Sequence, residues 1–206
     1  MRPAAVVFDL DGVLVDSEGA WGDAERETVT ALGGVYTDEL RVALHGRGHR
    51  DGGRIIASRL GRDDGEAVAA ILLEHALRRI RGNVRAMPGA VEALAWARRH
   101  GPVAVASNSV RTVVDAALDS AGLGAFDAVV AGEDVERPKP APDPYALACE
   151  RVGVEPSRAL AVEDSPAGVA SAKSAGLYVV GLQQGTVDLE EADLVVRSLH
   201  ELALSS

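Results

Sequence analysis

Two aspartates separated by one residue, Asp9 and Asp11, follow an apolar stretch near the beginning of the chain. In an extended strand, residues i and i+2 point to the same side, so both carboxylates can face one pocket while Leu10 packs inward. Two acids at the end of a buried strand are costly unless a cation binds there. Taken alone, the pattern also fits a strand that runs into an Asp-Gly turn at Gly12.

Three further polar clusters each follow a predicted strand. Ser107, Asn108 and Ser109 follow the second strand, Lys139 follows the third, and Glu163 and Asp164 follow the fourth. Each cluster by itself is typical of a turn, a solvated lysine or a helix start. Because ligands bind at the carboxyl ends of the strands in open α/β sheets, their shared position predicts one site.

The acidic residues of this site suit a hard divalent cation. Carboxylate oxygens without a nearby histidine or thiolate favour Mg²⁺, with Asp9 and Asp164 as direct ligands. Glu163 is either a third ligand or a partner that holds metal-bound water. The other oxygen of Asp9 can attack phosphorus to form an aspartyl-phosphate. Asp11 can give a proton to the leaving oxygen and then take one from water.

The remaining polar residues suit the phosphoryl group itself. Ser107 and the backbone N–H groups near Asn108 can hydrogen-bond its oxygens, and Lys139 adds a positive charge that also balances Asp9. Positioning and charge compensation of this kind are what phosphoryl transfer requires.

The elements that must position these residues alternate between strand and helix from residue 88 onward. After the first strand, strands are predicted at 103–107, 128–131, 159–162, 177–180 and, at an edge, 194–196. Wholly apolar strands that alternate with helices predict a parallel sheet covered on both faces. Asp143 and Ser165 each precede a proline and are predicted helix N-caps.

Residues 18–83 show helical periodicity and no convincing strand, as in the face formed by Val68, Ile71, Leu72 and Ala76. This pattern predicts an all-helical insertion whose two joints lie near the site. Such a module could close over a ligand, or it could form a fixed layer of a single domain.

Composition excludes several other classes of function. The 206 residues carry a net charge of −10, which argues against a nucleic-acid partner. No apolar run approaches membrane-spanning length, and no signal peptide is expected at the start. A single cysteine, Cys149, fits the core of a cytoplasmic protein, and the five histidines lack zinc-ligand spacing. The absence of coiled-coil heptads predicts a monomer.

Four segments together resemble the motifs of one known family. They are Asp9–Val13, Ser107, Lys139 within residues 137–143, and 163–168. Their order and spacing resemble the haloacid dehalogenase (HAD) superfamily, and specifically its small-capped phosphatases related to β-phosphoglucomutase. The resemblance implies an α/β fold with a Rossmann-like parallel sheet core, residues 1–17 and 84–206, and an inserted all-helical cap domain, residues 18–83. It also implies Mg²⁺ ligation by the Asp11 backbone carbonyl and a cis peptide bond between Lys139 and Pro140.

Within this family, Asp11 argues against dehalogenation, because the related dehalogenases lack the second aspartate. Residues 18–83 contain no lysine, which argues against the imine chemistry of phosphonate-cleaving relatives. Mutases resembling this group carry a histidine near the position of Trp21. The expected function is therefore a Mg²⁺-dependent phosphatase acting on a small phosphorylated metabolite, a sugar or polyol phosphate. The alternatives are a β-phosphoglucomutase-like phosphomutase and a catalytically silent HAD-fold binding module.

Substrate contact is expected from the predicted cap. Arg47, His49 and Arg50 lie in a glycine-rich segment in which arginines can bind hydroxyls or a second phosphate. The same segment also fits a solvated helix start. Trp21 could stack on a sugar face or pack under the cap.

Overall fold

The fold is organised around a parallel sheet in a computed structural model that describes residues 2–184 and 187–204. Met1, 185–186 and 205–206, which the predicted core includes, lie outside this description. The strands are β1 (Ala5–Phe8), β2 (Val15–Asp16), β3 (Arg85–Ala86), β4 (Val103–Ala106), β5 (Ala128–Val130), β6 (Ala159–Glu163), β7 (Tyr178–Leu182) and β8 (Leu194–Val196). The helices are α1 (Glu18–Ala31), α2 (Asp38–Leu44), α3 (His49–Arg59), α4 (Gly65–Ile80), α5 (Ala90–Arg98), α6 (Arg111–Ala121), α7 (Asp143–Val152), α8 (Pro166–Ala175) and α9 (His200–Leu204).

The main sheet has the strand order β5-β4-β1-β6-β7-β8, and every pairing in it is parallel. Val6 pairs with Val103 of β4 on one side and with Leu160 of β6 on the other. All residues of β1, β4 and β6 are buried, as their apolar sequences predict for central strands of a covered parallel sheet. The predicted α/β architecture is confirmed, with β8 at an edge.

Helices cover both faces of this sheet because successive strand residues point to opposite sides. Val6 and Phe8 belong to the core cluster that includes α5 and α6, whereas Ala5 and Val7 face the cluster that includes α7 and α8. Cys149 is buried in the second cluster, where burial raises its pKa to about 11. This agrees with its expected role as a core residue.

The segment between β2 and β3 is helical throughout its described elements, α1 to α4. β2 and β3 pair antiparallel, with Val15 opposite Ala86, so the chain leaves and re-enters the sheet domain at adjacent points. This short ribbon was not predicted, because two-residue strands carry no detectable periodicity. Of the predicted apolar face of α4, Val68, Leu72 and Ala76 are buried and Ile71 is half-buried.

The two predicted proline-associated helix starts have different outcomes. Ser165 caps α8 by accepting a hydrogen bond from the Gly168 N–H, and Pro166 is the first helical residue, as predicted. The prediction of Asp143 as the cap of α7 is wrong by one residue, since Pro142 occupies that position. The Asp143 carboxylate instead accepts two hydrogen bonds from Arg137, at 2.8 and 3.0 Å.

None of the helices within residues 2–184 and 187–204 combines the length and the apolar character that crossing a membrane requires.

Candidate active site

The central position of β1 brings the predicted residues of four loops to one edge of the sheet. Asp9 follows β1, Ser107 follows β4, and Glu163 ends β6. Lys139, from the loop before α7, places its Nζ atom 2.5 Å from Asp9 Oδ1 and 2.6 Å from Glu163 Oε1. All four side chains are buried, so Lys139 provides the positive charge that two desolvated acids need.

Glu163 is surrounded by donors on both carboxylate oxygens. Oε1 accepts from Lys139 Nζ and, at 2.8 Å, from the hydroxyl of Tyr145. Oε2 accepts from the backbone N–H groups of Asp164 and Ser165, at 3.0 and 3.1 Å, and from the Ser165 hydroxyl at 3.0 Å. Because these donors occupy both oxygens, the arrangement argues against Glu163 as a direct metal ligand and gives it a role in positioning Lys139 and Ser165.

Asp9, Glu163 and Asp164 form a cluster in which one carboxylate oxygen of each lies within 4.8 Å of the others. The Asp164 carboxylate is half-buried and accepts no hydrogen bond from the described residues. A desolvated acid without a protein donor, next to a second acid, fits a bound divalent cation. Gly12 allows this placement, because a Cβ atom there would lie 2.0 Å from Asp164 Oδ2.

The electrostatics of the cluster follow from burial. Burial is the largest cause that raises the pKa of Asp9 to about 7, against the opposing charge of Lys139. Burial and the neighbouring Asp9 and Glu163 raise the pKa of Asp164 to about 9. Burial disfavours the charged form of Lys139, but attraction to its two carboxylate partners outweighs this and raises its pKa. A divalent cation would therefore displace protons from the cluster.

Asp11 lies beside the cluster and accepts hydrogen bonds from three side chains. Ser17 Oγ and Trp21 Nε1 donate to Asp11 Oδ1, at 2.5 and 3.2 Å, and Ser109 Oγ donates to Oδ2 at 3.1 Å. The carboxylate is half-buried, and the donors on both of its oxygens fix its orientation.

The loop after β4 contributes through both backbone and side chains. Ser107 is buried, and its Oγ accepts a hydrogen bond from the Ser109 N–H at 3.0 Å. Asn108 accepts from the Lys139 N–H at 2.9 Å and donates to the Lys139 carbonyl at 3.3 Å. The Asn108 side chain therefore fixes the lysine loop, and the cis peptide bond between Lys139 and Pro140 is present as the resemblance implies.

The residues expected to contact substrate are distributed unevenly. Trp21 reaches the site through Asp11. Arg47 and Arg50 are exposed, and their side chains form no hydrogen bond or ion pair with the described residues. His49 is buried, and burial lowers its pKa. Gly48 approaches the loop after β4, since a Cβ atom on it would lie 3.4 Å from the Asn108 carbonyl oxygen.

Several polar contacts of the site were missed by sequence reasoning. Ser109 belongs to the predicted cluster after β4 but was assigned no contact of its own. Gln184 lies just after β7, which extends two residues beyond the predicted strand at 177–180. Gln184 Nε2 donates to the Gly12 carbonyl oxygen at 2.5 Å. Ser17 and Tyr145 do not follow a predicted strand. Ser17 is the N-cap of α1, and Tyr145 reaches the site from α7.

Gly168 in α8 packs directly against Glu163, and a Cβ atom there would lie 1.7 Å from Glu163 Oε1. We expect Gly168→Ala to lower the free energy of unfolding by about 1–3 kcal/mol, because Glu163 is held by donors and cannot move aside. Urea denaturation measures this change. Gly22→Ala in α1 is the control: apart from its own helical turn, no described atom lies within 4 Å of its Cβ position, so stability should rise by about 0.5–1 kcal/mol. Equal or higher stability of Gly168→Ala would contradict the close approach.

Comparison with known proteins agrees with this geometry. Residues 3–176 match the family model described as haloacid dehalogenase-like hydrolase. Hexitol phosphatase A of Escherichia coli strain K12 is 33% identical over 213 residues, covering 100% of this chain and 95% of that protein. Fructose-1-phosphate phosphatase YqaB of the same strain is 32% identical over 192 residues, covering 88% of this chain and 97% of that protein.

A solved structure shows the same fold. The crystal structure of CbbY from Rhodobacter sphaeroides in complex with phosphate superimposes with a TM-score of 0.84 at 30% identity, covering 97% of this chain and 96% of that chain. The family match and these relatives confirm what the four motifs predict: this chain belongs to the haloacid dehalogenase-like hydrolases.

Proposed function

We propose that this protein is a Mg²⁺-dependent phosphatase that hydrolyses a small sugar or polyol phosphate through an aspartyl-phosphate. The observation that carries the proposal is the Asp9 carboxylate, a buried member of the acidic cluster that is paired with Lys139, with Asp11 oriented beside it. The phosphatases among the relatives support this reaction class, and their names, a hexitol and a fructose phosphatase, support the substrate class.

The roles of the acids follow from their contacts. Asp9 Oδ1 is bound to Lys139, while Oδ2 accepts no hydrogen bond from the described residues and can attack phosphorus. The new bond joins Asp9 Oδ2 to phosphorus, the bond from phosphorus to the ester oxygen breaks, and Asp11 gives its proton to that oxygen. Asp11 then takes a proton from water as the water oxygen attacks phosphorus and the bond to Asp9 breaks.

Charge compensation comes from the cation site and from the neighbouring loops. Asp9, Asp164 and the backbone carbonyl of Asp11 would hold Mg²⁺, which when bound neutralises charge on the phosphoryl oxygens. Ser107, the backbone N–H groups at Asn108 and the ammonium of Lys139 bind the same oxygens. Glu163 acts by holding Lys139 in place.

We also propose that residues 18–83 form a cap domain on a core of residues 1–17 and 84–206. The candidates for substrate contact from the cap are His49 and the two arginines Arg47 and Arg50, whose side chains make no hydrogen bond or ion pair with the described part of the chain. The chain just after α4 is tied to α6 of the core, since Ser120 Oγ accepts a hydrogen bond from the Gly82 N–H at 2.8 Å. Movement of the cap would therefore either leave this end in place and displace the α1 end, or break this bond.

A panel of sugar, polyol, glycolate and nucleotide monophosphates tests the function, with inorganic phosphate release measured with Mg²⁺ and with EDTA. Chelator-sensitive release from a narrow group of sugar or polyol phosphates is expected. Conversion of a hexose 1-phosphate to its isomer in the presence of a bisphosphate primer, without phosphate release, would identify the phosphomutase instead. The absence of any turnover would favour the silent binding module.

The raised pKa values make metal binding dependent on pH. In the metal-free native state Asp9 and Asp164 hold protons up to about pH 7 and about pH 9, whereas the unfolded chain releases them near pH 4. The free energy of unfolding of the metal-free protein should therefore fall as pH rises from about 4 to about 9. Mg²⁺ competes with these protons, so its stabilising effect should grow with pH.

Thermal denaturation with millimolar Mg²⁺ or EDTA checks this, and the increase in Tm should be larger at about pH 8 than at about pH 5.5. Asp164→Asn serves as the control and should abolish most of the increase. An equal Mg²⁺ effect at both pH values would contradict proton displacement.

A further inference from the structure

The hydrogen bonds to Asp11 come from both sides of the junction between the sheet and the helical segment. Ser109 belongs to the loop after β4, whereas Ser17 and Trp21 belong to the start and the first turn of α1. We propose that Trp21 is a positioning residue, whose indole N–H fixes the carboxylate of Asp11 and ties α1 to the catalytic loop. This inference deepens the proposed function, since its kinetic consequence rests on Asp11 as the proton donor and acceptor.

The start of α1 is shaped around this contact. Ser17 occupies the N-cap position, but its side chain makes no capping hydrogen bond and donates to Asp11 instead. A serine at this position normally accepts from a backbone N–H two or three residues later. Ser17 and Trp21 are four residues apart, so they lie on one face of the helix and can reach the same carboxylate oxygen.

Trp21 thus has a polar role beyond packing. It is half-buried against the hydrophobic core, and its Nε1 atom is 3.2 Å from Asp11 Oδ1. A half-buried indole usually finds one acceptor for its N–H, and here that acceptor is the proposed catalytic carboxylate. The indole plane is rigid, so the contact restricts the rotation of the carboxylate as well as its position.

The other tryptophan provides a matched comparison. Trp96 lies in α5 within the core, and its buried Nε1 atom has no hydrogen-bond partner among the residues that the structure describes. Trp96→Phe therefore removes the same N–H group without breaking a hydrogen bond. The two tryptophans of the chain therefore differ in whether the indole N–H donates a hydrogen bond to a described residue.

Steady-state kinetics of Trp21→Phe and Trp96→Phe, with a substrate found in the phosphate-release panel, test the positioning role. For Trp21→Phe we expect kcat to fall about 10-fold while KM changes less than about 2-fold, because the contact acts on proton transfer and not on substrate binding. Trp96→Phe should retain kcat. Equal kcat values for the two variants would overturn the proposal. A raised KM with unchanged kcat would also overturn it and would indicate direct substrate contact.

A measurement independent of turnover separates this inference from the proposed function. Uniform ¹⁵N labelling resolves one indole N–H resonance for each tryptophan, and the two Phe variants assign them. Asp11→Ala should move the Trp21 resonance upfield and leave that of Trp96 in place, because only Trp21 loses an acceptor. An unmoved Trp21 resonance would overturn the proposal even if Trp21→Phe folds poorly. If the unmodified protein cleaves no ester, the proposed function fails, and the resonance still decides whether Trp21 holds Asp11.

Discussion

Replacing Asp9 by asparagine is expected to reduce phosphate release by about 10³-fold or more, because the amide cannot form the bond to phosphorus that the carboxylate forms. The variant should remain folded. Lys139 keeps Glu163 as a partner at 2.6 Å, and removal of one of several neighbouring acids relieves charge repulsion. The loss of activity would thus come from chemistry and not from unfolding.

Two measurements make this result specific. Acid-quenched incubation with substrate labelled in the phosphoryl group should leave label on the unmodified protein and none on Asp9→Asn. Asp115→Asn, an equivalent change at an exposed position of α6, should retain full phosphate release. Undiminished release by Asp9→Asn would show that another residue is the nucleophile, or that water attacks phosphorus directly.

The convergence of the site on one edge of the sheet was predictable from the sequence. Apolar runs located β1, β4 and β6, and the carboxyl ends of neighbouring parallel strands must meet. Asp9, Ser107 and Glu163 therefore come together regardless of how the helices pack. Ser109 follows the same rule as part of the cluster after β4, whereas Gln184 was missed because β7 extends beyond the predicted end of its strand.

Contacts made from helices were not predictable in the same way. Tyr145 reaches Glu163 from α7, at a position that depends on how this helix lies across the sheet. The pattern around Trp21 allowed stacking or packing, and its hydrogen bond to Asp11 depends on the direction in which α1 leaves β2. Helix N-caps were also not fully predictable, because a capping side chain can bind another partner. The carboxylate of Asp143 binds Arg137 and does not cap α7.

Lys139 is the residue on which the buried charges of the site depend most. Its side chain is 4% exposed, and its Nζ atom bridges Asp9 and Glu163. Lys139→Met preserves much of the side-chain volume but leaves two buried carboxylates without their cation, close to Asp164. We expect this variant to lose about 3–5 kcal/mol of unfolding free energy near neutral pH, measured by urea denaturation, and to lose phosphate release.

A double variant separates stability from catalysis. Adding Glu163→Gln to Lys139→Met removes one of the two unpaired charges, so part of the lost stability should return. Phosphate release should not return, because the ammonium that binds the phosphoryl oxygens and balances Asp9 is still absent. Recovery of activity in the double variant would show that Lys139 serves only to neutralise Glu163.

The other lysine of the chain controls for the loss of an ion pair as such. Lys173 binds Asp193 at 2.6 Å, a distance equal to that between Lys139 and Glu163, but its side chain is 38% exposed. Lys173→Met should cost less than about 1 kcal/mol, because water replaces the lost partner at an exposed site. The difference between the two variants therefore measures what burial adds to the same contact. Similar costs at both lysines would mean that water enters the cluster and that the acids beside Lys139 do not need its charge to remain buried.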